Sequence, residues 1–178
     1  MGRVFQRAGR YFMLFMATSF LGWAVETAFF FLCYGRFCDR GFMTLPFCPI
    51  YGCSFLLVYF LLGGEAASVR LPVHFLLCAL IPTGLELLTG YGFHRLFGIR
   101  LWDYSAYRFH FHGYISLEYT LLWGLLLPVC MKYLFMPLKR WIFRVPDSRI
   151  GTLGACLALV SAVDLAYNFT RQAFAVFG

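Results

Sequence analysis

Charge is what this sequence has least of. Asp, Glu, Lys and Arg make up 13 % of its 178 residues, and 61 % are hydrophobic. Soluble domains carry about 25 % charged residues and at most about half apolar ones. No soluble fold hides this much apolar surface, so the bilayer is the solvent for most of it. The chain also lacks a Gly-rich phosphate loop ending in Gly-Lys-Ser/Thr, which excludes ATP hydrolysis by that route. It has neither a Gly-x-Ser-x-Gly nucleophile turn nor a His-Glu-x-x-His zinc helix, so the sequence leans away from an enzyme. Acidic residues number eight against fifteen Lys and Arg, for a net charge of +7. The basic residues lie in short segments between apolar runs and in no nucleic-acid-binding module. Their partner is the anionic face of a lipid bilayer, and nucleic acid is excluded. No small-residue cleavage site follows the first apolar run, which is expected to stay as an anchor.

A membrane-crossing helix needs about 20 mainly apolar residues. Runs of this kind predict spans near 11–34, 47–63, 71–93, 114–136 and 150–174 within a single transmembrane domain, 1–178. The fold class is therefore all-α, a polytopic membrane helix bundle of about five transmembrane helices. Pro46 and Pro49 interrupt the start of the second run. The basic, aromatic segment 138–149 is expected at the interface, with Trp141 and Phe143 inserted and Lys139, Arg140 and Arg144 among the headgroups. With the N-terminus inside, the inner segments hold nine cations (Arg3, Arg7, Arg10, Arg70, Lys132, Lys139, Arg140, Arg144, Arg149) and the outer ones six (Arg36, Arg40, Arg95, Arg100, Arg108, Arg171), which favours that orientation. Segments 35–52 and 94–116 then share the outer side. Both mix aromatics, Gly and charge, and are expected to fold back as re-entrant or capping loops.

Four acids fall inside the expected spans: Glu26, Glu86, Glu118 and Asp164. A charge near the bilayer centre costs at least about 2.5 kcal/mol, so such residues face the bundle interior and mark a pathway or a site. They predict an outward-opening cavity, shared with Tyr51, that binds a cation, a proton or a cationic solute. The alternative is that each acid pairs with an arginine. Asp39 and Arg40 enter the second span through Gly41, Pro46 and Pro49, a fixed turn. Trp102, Asp103, Tyr104 and Ser105 form a second compact cluster in which Asp103 is placed to cap a short turn. Both clusters read as gate loops or as loop architecture. His94, His110 and His112, completed by Asp103 or Glu118, are candidate ligands for a divalent metal, the one cofactor these residues suggest. His74 stands alone and is expected to be packed or interfacial. Among the seven cysteines, Cys33, Cys78, Cys130 and Cys156 read as small hydrophobes. Cys38 and Cys48 form a disulfide if their face is oxidising, or stay as thiols.

An ordered series of motifs over about residues 20–125 carries a resemblance. It runs Gly22-Trp23 with Glu26, Arg40-Gly41-Phe42, Cys48-Pro49-Ile50-Tyr51-Gly52, Leu85-Glu86, Phe97-Gly98, Trp102-Asp103-Tyr104-Ser105, Gly113 and Trp123-Gly124. In this series the chain resembles the bacterial CmpB-like family of type IV ABC-transporter permeases. The resemblance implies a small membrane transport protein or permease-type subunit in the bacterial cytoplasmic (inner) membrane. Its partner would be a separate ATPase or another membrane subunit. The chain departs from the family pattern at Asp39 (usually Asn), at His94 (usually a second Glu) and at His110 and His112 (near usual Asn positions), which adds titratable groups. At 20.5 kDa, five helices enclose little space, so a homo-oligomer is also expected. Two other readings stay open: an intramembrane enzyme acting on a lipid-type substrate with or without a metal, and a non-catalytic membrane assembly or sensor protein.

Overall fold

The structure, a computed structural model, describes residues 2–37, 42–64 and 70–177. The elements run α1 (Gly2–Tyr34), α2 (Pro49–Leu61), α3 (Leu71–Phe97), β1 (His110–Phe111), β2 (Ile115–Ser116), α4 (Leu117–Cys130), a π turn (Met131–Phe135), α5 (Met136–Ile142) and α6 (Asp147–Phe177). This is an all-α membrane bundle. Val4–Tyr34, Leu71–Phe97, Leu117–Ile142 and Asp147–Ala175 are each long and apolar enough to cross a bilayer. The second helix differs, because its 13 residues reach about 20 Å at 1.5 Å per residue, short of the roughly 30 Å hydrocarbon core. The third long helix continues past Pro128, whose missing N–H is followed by the π turn, and ends at Ile142. Residues 138–149 are thus the end of α5, a turn and the start of α6.

The chain divides into two compact units, one of residues up to Cys53 together with those from Met136 onward, the other Ser54–Phe135. In the first, α1 and α6 run parallel. A Cβ on Gly154 would sit 3.4 Å from Gly9 Cα, and Ser161 Oγ donates to Met16 Sδ at 3.4 Å, so both pairs keep one offset (154 − 9 = 161 − 16 = 145). Arg10 closes the end where α6 begins. It donates to the carbonyls of Phe143 and Val145, acceptors left over at the end of α5, and pairs with Asp147. Lys139, expected at the headgroups, is instead buried, with its ammonium 4.6 Å from the Phe143 ring centre. The start of α2 lies against α1 through Gly22 and Gly52. A Cβ on Gly52 would come within 2.4 Å of Phe15 Cδ2 and Ser19 Oγ and 2.7 Å of the Phe15 carbonyl, so only glycine allows this approach.

The second unit is built on an antiparallel pairing of α3 and α4, in which Gly90 lies against Tyr114, Thr83 meets Thr120, and Phe75 lies against Gly124. Gly98 ends α3 in a left-handed conformation (φ 67°), and its N–H returns to His94 O at 3.0 Å. Ser116 caps α4, its hydroxyl accepting the Tyr119 N–H. Phe55 stacks on Phe135 at 5.6 Å, with Tyr59 at 5.3 Å from the same ring. Between α3 and α4 the chain forms a short hairpin, His110 opposite Ser116 and Phe111 opposite Ile115. Three residues, 112–114, join the strands; His112 (φ 51°) and Gly113 (φ 77°) are left-handed, and the Tyr114 N–H donates to the Phe111 carbonyl at 3.0 Å across the turn.

Candidate functional site

In the first unit the non-helical segment 42–48 lies against α1 and α6. Asp164, which it contacts, is 17 residues from the start of α6 and 13 from its end, about 26 and 20 Å along the axis. The Leu45 N–H donates to Asp164 Oδ2 at 3.1 Å. Asn168 Nδ2 donates to Asp164 Oδ1 at 3.1 Å and lies 3.0 Å from Thr44 Oγ1, tying segment to helix a second time. On the α1 side, the Cys48 N–H donates to the Ser19 carbonyl at 3.0 Å. Met43, Phe47 and Cys48 are buried, and Phe42 packs on Phe169. The reason for this local structure is physical: Pro46 and Pro49 remove donors that a helix through this segment would need, the Leu45 and Cys48 N–H groups find partners on α6 and α1, and the Phe47 N–H turns back to the Leu45 carbonyl. At the first turn of α2, the Tyr51 hydroxyl donates to Glu26 on α1. Ser19 Oγ and Thr27 Oγ1 are enclosed nearby along α1 and have no hydrogen-bond partner among the described residues.

In the second unit, Glu86 is 8 % exposed and accepts the indole N–H of Trp123 at 3.0 Å. About one turn earlier on α3, Thr83 Oγ1 bonds Thr120 Oγ1 at 3.0 Å, which extends the polar stripe between the helices. Glu118 is exposed in the first turn of α4, where a carboxylate complements the positive helix end. The hairpin loop has its own polar framework. Trp102 Nε1 donates to the Tyr114 carbonyl at 2.8 Å, and the Tyr114 hydroxyl lies 2.6 Å from His94 Nδ1. Asp103 Oδ1 accepts the Ser105 N–H at 2.9 Å and pairs with Arg100 at 3.4 Å. The Ser105 backbone bond first, then the Ser105 hydroxyl, then Arg100 and His110 hold the Asp103 carboxyl below the usual carboxylate range. The Tyr104 N–H reaches the Gly113 carbonyl at 2.9 Å, and a Cβ on Gly113 would come within 2.6 Å of Asp103 Oδ1. Trp102, Asp103, Tyr104 and Ser105 therefore all lie in one folded loop.

Of the sequence candidates, Tyr51 and Glu26 meet in the first unit, which also holds Asp164, and Glu86 is buried in the second. His94 bonds Tyr114, His110 Nδ1 accepts the Gly113 N–H at 3.1 Å, and His112 occupies the turn. Among the described residues, no three of His, Cys, Asp and Glu gather as a set that could hold a metal ion. Asp39, Arg40 and the Cys38 partner of the Cys38–Cys48 pairing lie outside the described residues. Sequence reasoning missed Asn168, Thr44 and Trp123. Asn168 was findable, because Asp164 and Asn168 are polar residues four apart on an apolar helix and so share one face. Trp123 lies 37 residues from Glu86, and no local spacing announces that pair.

The family model described as "Putative ABC-transporter type IV" matches residues 13–169, and the chain belongs to that family. No curated protein and no solved structure matches it.

Proposed function

Starting from that membership, we propose that the chain is the permease-type subunit of a transport system and that its intramembrane carboxylates bind a cation, a proton or a cationic solute. The observation that carries this reading is the bond from the Leu45 N–H to Asp164. It holds non-helical backbone at membrane depth. Such backbone is tolerated only where it is buried in protein or lines a cavity, and transporters use interrupted segments of this kind to hold solutes and coupling ions. Asp164 and Glu26 serve one unit, and Glu86, held by Trp123, serves the other. Glu118 belongs at the mouth of the path, and the segment with Asp39 and Arg40 and the loop with Trp102 to Ser105 act as gates. With no phosphate loop in the chain, a separate ATPase supplies the energy. The protein works in the bacterial inner membrane with its N-terminus in the cytoplasm, and a second copy completes the enclosure that so few helices leave open.

The test is uptake of protons and of rubidium into sealed vesicles carrying the purified protein, driven by a potassium diffusion potential. The wild type is expected to exceed empty vesicles for at least one ion, and Asp164→Asn and Glu26→Gln to slow that uptake at least tenfold. Uptake by both variants at the wild-type rate, in vesicles where the wild type is active, overturns the role of these acids. Wild-type uptake no faster than that of empty vesicles, with and without a co-expressed ATPase, overturns transport of these ions.

A further inference from the structure

We propose that the end of the first unit where α1 begins and α5 turns into α6 is a docking site for the headgroups of anionic phospholipids. The parallel run of α1 and α6 brings their N-terminal ends together, and α5 joins them there. Among the described residues of this unit, this end carries Arg7, Arg10, Lys139, Arg140, Arg144 and Arg149 against one acid, Asp147. That acid is already held by Arg10. Arg7, Arg140, Arg144 and Arg149 are exposed, so four guanidinium groups face outward with no second carboxylate among those residues to neutralise them. At the opposite end of the same two helices the described residues offer Arg36 and Arg171.

The occupant follows from what surrounds the cations. Trp141 is 65 % exposed, Val4 77 % and Phe5 63 %. Apolar and aromatic side chains beside a guanidinium belt match the boundary between acyl chains and headgroups, where Trp is enriched. A guanidinium group binds a phosphodiester with paired hydrogen bonds as well as charge. An acidic protein surface would satisfy the charge but would leave Val4, Phe5 and Trp141 facing water.

The experiment uses the full chain purified in a neutral detergent and stripped of lipid, with binding of phosphatidylglycerol or phosphatidylcholine read by native mass spectrometry. Phosphatidylglycerol is expected to bind the more tightly. Each of Arg140→Gln, Arg144→Gln and Arg149→Gln should weaken it roughly fivefold, and the three together on the order of a hundredfold. Arg36→Gln with Arg171→Gln should leave it unchanged. Added salt should reduce the difference between the two lipids, because exposed charges are screened. Single variants that bind phosphatidylglycerol like the wild type overturn the proposal, and so does an equal loss from the opposite-end pair. A triple variant that keeps the lipid but sheds a co-purifying acidic subunit assigns this face to protein and overturns it too.

Discussion

The two units solve the same problem with opposite means. The second pairs α3 with α4, neighbours in sequence joined by one structured loop, and its polar contacts (Thr83 with Thr120, Glu86 with Trp123) run from helix to helix. The first pairs α1 with α6, from opposite ends of the chain, and besides helix-to-helix contacts its helices bond a non-helical backbone segment, Asp164 at the Leu45 N–H and the Ser19 carbonyl at the Cys48 N–H. A local hairpin keeps its helices running past Pro82 and Pro128, so its polar side chains can contact one another across the pair. A segment that gives up its ladder within an apolar bundle needs other acceptors to replace it, and the Asp164 carboxylate and the Ser19 carbonyl do this. The difference teaches that polar groups in an apolar bundle have two kinds of employment: decorating a helix pair, or completing a broken one.

Substitutions can break that contrast, and the largest effect is expected at Gly52. In Gly52→Val the new atoms meet the Phe15 carbonyl and ring and the Ser19 hydroxyl. The overpacking should cost on the order of 3 kcal/mol, read as a fall in the melting midpoint in detergent, with loss of amide protection in 42–53 before α3 and α4. Next comes Asp164→Ala, which takes the acceptor from the Leu45 N–H. An unpaired buried donor costs about 1–3 kcal/mol, and hydrogen exchange at Leu45 should rise while exchange in α4 stays as it was. Trp123→Phe is the mirror experiment in the second unit. It removes one donor from Glu86 at a cost of about 1–2 kcal/mol, with faster exchange expected in α3 and α4 and none at Leu45. If Asp164→Ala and Trp123→Phe loosened both units alike, the contrast would not hold.

The smallest effect concerns Asp103. Its folded-state pKa is depressed, chiefly by the Ser105 backbone bond. Whatever it contributes is therefore present above the ordinary carboxylate pKa and is lost as pH falls through its lower folded value. Acidification below about pH 4 should speed exchange of the Ser105 amide, and Asp103→Asn should remove that pH dependence.

Much of the fold was legible, and for a simple reason. A long apolar run with charged flanks has few options other than a spanning helix, and Leu71–Phe97 and Asp147–Ala175 lie where hydropathy put them. The second run was harder. Its apolar length reads as one span over 47–63, and the residues just before it, Thr44 and Leu45, are tied to partners more than 100 residues away, which no local pattern encodes. Hydropathy counts the charge of Lys139 but not its four-carbon stem, so its burial beside Phe143 was not legible. Glu26 stood out in sequence as an acid inside the first span, but its hydrogen bond with Tyr51, 25 residues away, has no local signature. The hairpin loop was legible as a folded cap from its Trp, Asp and Gly, although its hydrogen bonds were not.

The parallel run of α1 and α6 also sets a condition on how the chain can be threaded. Two parallel helices that both cross a bilayer are entered from the same side, so whatever joins them changes sides an odd number of times. Among the described residues, Leu71–Phe97 and Leu117–Ile142 are long and apolar enough to cross, whereas α2, with 13 residues, is too short to do so on its own.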